Sequence, residues 1–78
     1  MLEVRLKSVS PDVTEAAINY WHVEEGDYVE KGQDLVEISL NGASYNMLSP
    51  GTGTLAEVYF DAGQTIEIGE VIAEIEEE

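Results

Sequence analysis

The chain has no cysteine, two prolines, a single histidine and only three basic residues. Each shortage excludes something. Without cysteine there is neither a disulfide to staple a small domain nor a thiolate for zinc, and His22 by itself cannot complete a metal site. The chemistry of an independent enzyme is equally thin. His22 has no serine, cysteine or second histidine near it in sequence, so it founds no triad and reads as a surface residue. No loop has EF-hand spacing for calcium. No apolar run approaches the roughly 20 residues of a transmembrane helix, and no signal-peptide pattern is visible. The expectation is a soluble, cytoplasmic protein, with which the lack of cysteine is compatible.

Positive charge is the other shortage. Arg5, Lys7 and Lys31 stand against 17 acids, for a formal net charge of −14. Nucleic acid is excluded as a partner because phosphate contacts need lysine and arginine, and an anionic membrane surface is excluded on the same ground. The charge keeps a small domain soluble and favours steering toward a basic protein surface. At 78 residues there is room for one domain, spanning 1–78, and its stability has to come from apolar packing and closed strands.

What is present is a strand pattern. Apolar runs of about four to eight residues, rich in β-branched and aromatic types, alternate with turn signals. Strands are expected near 2–7, 16–23, 27–30, 34–39, 43–48, 53–60, 64–67 and 71–76. Ser10-Pro11-Asp12, Glu25-Gly26, Lys31-Gly32, Asn41-Gly42, Pro50-Gly51, Ala62-Gly63 and Ile68-Gly69 separate them. Glycine would interrupt nearly every helix that could be drawn. The fold class is all-β, a sandwich or barrel.

A repeat sharpens this reading. Residues 26–38 (GDYVEKGQDLVEI) align without a gap on 63–75 (GQTIEIGEVIAEI), an offset of 63 − 26 = 37 residues. Gly26/Gly63, Glu30/Glu67, Gly32/Gly69, Glu37/Glu74 and Ile38/Ile75 are identical, and upstream Val23 meets Phe60. Two copies are too few for a solenoid, so the expectation is two intertwined halves about a pseudo-twofold axis, their glycines supplying turns with positive φ. No Walker spacing or helix start accompanies them, which leaves a phosphate loop without support. Asn41-Gly42 stands between the copies and carries the strongest short hairpin signal, a type I′ turn projecting from one end of the domain.

Together Val13-Thr14-Glu15-Ala16, Trp21, Glu25-Gly26-Asp27, Val29, Lys31-Gly32, Leu35, Glu37-Ile38, Ala43-Ser44, Pro50, Gly53, Gly63, Val71-Ile72 and Ile75 resemble the biotinyl/lipoyl attachment family. The likeness covers nearly the whole chain and is strongest to the lipoyl domains of 2-oxo acid dehydrogenase acyltransferase components. It implies a flattened eight-stranded barrel or sandwich of two four-stranded antiparallel sheets with quasi-twofold symmetry. In that family an exposed hairpin presents Asp-Lys-Ala, and a ligase attaches lipoate to the lysine. The family proline lies eight residues after that lysine, and here 50 − 42 = 8, so the resemblance puts Gly42 at the attachment position, flanked by Asn41 at the acidic position and by Ala43. Biotinyl domains bracket their lysine with methionines, which this hairpin lacks. Glycine has no amine from which to form the amide, so no cofactor is expected, although lipoate or biotin is what the family carries.

The resemblance therefore implies a non-catalytic lipoyl-like domain without an arm. Such a domain would recognise a protein partner, such as a 2-oxo acid dehydrogenase component, or serve as a structural module, and would be monomeric in isolation. One alternative is a genuine carrier, modified at Lys7 or Lys31 or altered from a natural lysine at 42. Another is a structural barrel-sandwich piece of a transport adaptor. Trp21, Tyr20, Tyr59 and Phe60 are expected in the core or packed on a sheet, and Glu76-Glu77-Glu78 as a solvated end.

Overall fold

β-branched runs closed by glycine turns give eight strands: β1 Leu2–Arg5, β2 Glu15–Trp21, β3 Tyr28–Val29, β4 Asp34–Leu40, β5 Ala43–Leu48, β6 Gly53–Val58, β7 Thr65–Glu67 and β8 Val71–Glu77. The computed structural model describes residues 1–6, 12 and 14–78. Lys7, the Ser10-Pro11 part of the first turn signal and Val13 of the family pattern lie outside the described residues. Two four-stranded antiparallel sheets result, in the orders β1-β8-β6-β3 and β5-β4-β2-β7, and no helix occurs among the described residues. All-β architecture in two sheets is what the sequence led us to expect.

The pseudo-twofold relation is written into the register. In β2/β4, Ala17 faces Ser39, Ile18 faces Ile38, Tyr20 faces Glu37 and Trp21 faces Val36. Adding 37 to each number gives Thr54/Glu76, Leu55/Ile75, Glu57/Glu74 and Val58/Ala73, which is the register of β6/β8. Both ladders shift at the same place, between Ile18 and Tyr20 and between Leu55 and Glu57. The turns repeat as well. The Gly26 N–H donates to the Leu55 carbonyl at 2.8 Å, and the Gly63 N–H donates to the Ile18 carbonyl at 2.8 Å. Gly26, Gly32, Gly63 and Gly69 all have positive φ, as the repeat predicted.

β1 and β5 complete the symmetry at a different offset. Leu2 faces Ile75 and Tyr45 faces Ile38, so these strands correspond by 45 − 2 = 43 residues, against 75 − 38 = 37 for their partners. The segment joining β1 to β2 is accordingly longer by 43 − 37 = 6 residues than the one joining β5 to β6. The added length hides this part of the repeat from an ungapped comparison.

Inward-facing residues of β2, β4, β6 and β8 make one core, joined by single residues of β1, β3 and β7. Ile18, Val29, Leu35, Val36, Leu55, Ile66, Ile72, Ala73 and Ile75 are at most 1 % exposed. Symmetry partners share this centre: Ile18 with Leu55, Val29 with Ile66, Leu35 with Ile72, Ile38 with Ile75. The buried polar side chain among the described residues, Ser49, donates its hydroxyl to the Gly51 carbonyl at 2.6 Å, so its burial leaves nothing unpaired.

Two expectations need correction. Tyr20 and Tyr59 are 48 % and 47 % exposed and lie outside the core: the β2/β4 ladder shifts beside Tyr20, and Tyr59 follows the end of β6 with its hydroxyl on Glu74. Trp21 and Phe60 do pack against the core, with Trp21 Nε1–H donating to the Phe60 carbonyl at 2.8 Å. β2 and β6 end at Trp21 and Val58, short of the expected 23 and 60, because the chain turns toward Gly26 and Gly63. Glu76, Glu77 and Glu78 are exposed, in keeping with a solvated end, and β8 pairs the first two with Thr54 and Gly53.

Candidate functional site

The hairpin joining β4 to β5 is a two-residue turn. Leu40 faces Ala43 across it, and Asn41 and Gly42 have φ of 48° and 80°. Positive φ at both central residues is the type I′ conformation, whose twist matches that of the strands it joins. Asn tolerates this region and glycine has no Cβ to oppose it. Among the described residues nothing lies within 4 Å of where a Gly42 Cβ would stand, so the tip projects into open space. Asn41, Gly42, Ala43 and Ser44 are all exposed. The symmetry relation takes β4 and β5 onto β8 and β1, so the tip occupies in one sheet the place the paired ends of β1 and β8 hold in the other.

No amine is carried by the tip. Lys31 sits in the turn between β3 and β4, where its backbone N–H donates to Thr52 Oγ1 at 3.0 Å, and it is not part of the β4–β5 hairpin. Lys7 lies outside the described residues. His22 is exposed, its Nε2 is 2.8 Å from Asn46 Oδ1, and its ring meets that of Tyr20 edge-on at 4.8 Å. It is a surface histidine, as the sequence suggested. Sequence reasoning did not reach its contact with Asn46, which depends on a long-range strand pairing. Among the described residues no group of three or more His, Cys, Asp or Glu side chains is placed to hold a metal ion.

β5 is an edge strand with little burial, and beside it lies a cleft of about 550 Å³ between the edges of the two sheets. Val4 and Leu6 from the β1 side and Tyr45, Met47, Leu48 and Pro50 from the β5 side line it. Tyr45 and Leu48 are about half exposed, at 48 % and 53 %. No residue pattern in the sequence marked this cleft, because it exists only where β1 and β5 are brought together.

Acidic side chains shape the surface around the other sheet. Tyr59 Oη donates to Glu74 Oε2 at 2.7 Å. This hydrogen bond, then desolvation, then the charges of Glu74, Glu57 and Glu3 push the phenol up to about 12. The Tyr28 phenol is raised as well, first by a hydrogen bond to Glu78. A raised folded-state pKa means that the folded chain holds its proton where the unfolded chain has lost it. The Tyr59–Glu74 contribution is therefore whole below pH 10, the ordinary phenol value, and is lost as pH rises through about 12. A phenolate absorbance titration should show a tyrosine ionising near pH 12 that disappears from the curve in Tyr59→Phe.

Comparison with known proteins agrees with this geometry. The biotin–lipoyl family, described as biotin-requiring enzyme, matches residues 2–75. The chain is 32 % identical over 77 residues to the dihydrolipoyllysine-residue succinyltransferase component of the 2-oxoglutarate dehydrogenase complex of Bacillus subtilis (strain 168), covering 99 % of this chain and 18 % of that protein. It is 38 % identical over 72 residues to the mitochondrial dihydrolipoyllysine-residue acetyltransferase component 2 of the pyruvate dehydrogenase complex of Arabidopsis thaliana, covering 91 % of this chain and 13 % of that protein. The chain thus spans less than a fifth of the length of either relative. The solution structure of the lipoyl domain of the Azotobacter vinelandii 2-oxoglutarate dehydrogenase complex superposes with a TM-score of 0.81 at 19 % identity, covering 99 % of this chain and 98 % of that one. At that identity the likeness is one of fold.

Proposed function

The chain belongs to the biotin–lipoyl family, and from that premise we propose that it is a lipoyl-like domain without a swinging arm. In this reading it acts as a non-catalytic module that recognises a component of a 2-oxo acid dehydrogenase complex. The observation that carries the proposal is the combination of a family match over residues 2–75 with a hairpin tip, Asn41-Gly42, that has no amine. The eight-residue spacing to Pro50 supports assigning Gly42 to the attachment position. An amide to lipoate or biotin needs a nucleophilic side-chain amine, and the tip offers only backbone N–H groups and the Asn41 carboxamide, whose nitrogen lone pair is delocalised into its carbonyl. Recognition is favoured by the half-exposed Tyr45 and Leu48 on β5, the strand that leaves the tip, and by a net charge of −14, which attracts a basic partner surface.

Co-expression with a lipoate ligase or a biotin ligase tests this reading. The chain should keep its unmodified mass, whereas Gly42→Lys should gain the lipoyl adduct, since the tip has space for the side chain. The backbone strain of lysine at positive φ is on the order of 1 kcal/mol and leaves the turn in place. An adduct on the unaltered chain would overturn the proposal. If Gly42→Lys stays bare as well, the surface a ligase reads has diverged along with the lysine. Affinity capture from the native host should recover dehydrogenase components; recovery of transport proteins instead would favour the adaptor reading.

A further inference from the structure

The same tip carries a second kind of chemistry, independent of any partner or ligase. The chain has three asparagines. Asn19 Nδ2 donates to Glu37 Oε2 at 2.9 Å, and Asn46 Oδ1 is held by His22 Nε2 at 2.8 Å. Both sit inside strands, followed by the bulky residues Tyr20 and Met47. All three asparagines are exposed, and Asn41 differs in its partners and its neighbour: neither its carboxamide nor the Gly42 N–H has a hydrogen-bond partner among the described residues. The residue after it has no side chain, and the space around that residue is open.

We propose that Asn41 is a site of spontaneous covalent modification, at which the Gly42 backbone nitrogen displaces the side-chain amide and water completes the conversion to aspartyl or isoaspartyl. Solvent hydroxide takes the Gly42 N–H proton, and the nitrogen attacks Asn41 Cγ. An N–Cγ bond forms, the Cγ–Nδ2 bond breaks, and Nδ2 leaves as ammonia with a proton from water. The product is a five-membered imide. Water then opens it: cleavage at N–Cγ gives aspartate with the chain unchanged, and cleavage at the backbone carbonyl gives isoaspartate. Nothing is oxidised or reduced, and the net change is one water in and one ammonia out.

The turn controls the rate. Ring closure needs Asn41 to leave its left-handed conformation, so it proceeds through brief opening of the tip. Such opening is shallow here, because β5 is a sheet edge whose residues are almost all exposed. Either product adds one negative charge, taking the formal charge from −14 to −14 − 1 = −15. The isoaspartyl form also lengthens the backbone inside a turn that has only two residues, which disturbs the Leu40–Ala43 closing pair.

Holding the whole chain at mildly alkaline pH and physiological temperature, with timed peptide mapping by mass spectrometry, tests the proposal. Asn41 should gain about one mass unit, with release of ammonia, on the order of tenfold faster than Asn19 or Asn46, as local opening at the tip exceeds that in the strands. Gly42→Ala should slow the gain by crowding the nucleophile, and Asn41→Asp should abolish it. The proposal is overturned if Asn19 or Asn46 reacts first. It is equally overturned if Asn41 keeps its amide after an unstructured peptide of residues 38–45 has lost it. Neither result bears on whether the domain carries an arm, which the ligase experiment reads separately.

Discussion

Leu55→Ala is expected to lower stability by about 3 kcal/mol, within the range for deleting a fully buried leucine side chain. Leu55 has no exposed surface and faces Ile75 across β6 and β8, inside the cluster shared with Ile18, Ile38 and Ile72. A domain of this length holds about 4–12 kcal/mol in all, so the loss is a large fraction of the total. Thermal unfolding should shift down by about 12–24 °C, and urea unfolding should show a lower midpoint with an unchanged slope. Ile18→Ala, at the symmetry-related position, should cost a comparable amount, since Ile18 is 1 % exposed and faces Ile38 as Leu55 faces Ile75. A drop of a few tenths of a kcal/mol in either variant would mean that the two halves do not share one core.

Gly53→Ala should be nearly as damaging, although it adds only a methyl group. A Cβ at Gly53 would collide with the Glu76 carbonyl oxygen and stand 2.8 Å from both the Glu76 carbonyl carbon and Glu77 Cα. All of these are backbone atoms of β8, so relief requires moving a strand rather than a side chain. Overpacking of this kind costs about 1–3 kcal/mol, and the upper end is expected here. The symmetry-related residue is Ala16, since 53 − 16 = 37, and it keeps its methyl because the β2/β4 ladder begins at Ala17/Ser39, whereas β6/β8 extends one pair further to Gly53/Glu77. Gly51→Ala is the control. Its Cβ would meet Leu2 Cδ2 at 2.6 Å, the far end of a side chain that can rotate away, so a smaller loss is expected in the same urea measurement.

These two cases show what could be read in the chain and what could not. The alignment of 26–38 on 63–75 anticipated the symmetry, the positive-φ turns and the pairing of core residues such as Ile38 and Ile75, because glycine spacing and apolar alternation are local properties. The equivalence of β1 and β5 was not legible, since six extra residues break the offset and the side chains, Leu2-Glu3-Val4 against Tyr45-Asn46-Met47, differ. Gly53 was visible as part of the family pattern, but the reason for it is the approach of a strand from elsewhere in the chain. Tyr20 and Tyr59 were not separable from core aromatics because a large ring looks the same in sequence whether it points into the core or out of it. The candidate site was the most legible part: Asn-Gly between two strands defines its own conformation. The cleft beside it was the least legible, being made by two edges that are distant in sequence.

The central claim concerns the tip, and intact mass of the chain from its native host tests it most directly. Residues 1–78 should carry no lipoyl or biotinyl mass, and the one departure from their unmodified mass should be the single unit that conversion of Asn41 adds. A lipoyl or biotinyl adduct, located by peptide mapping on Lys7 or Lys31, would contradict it.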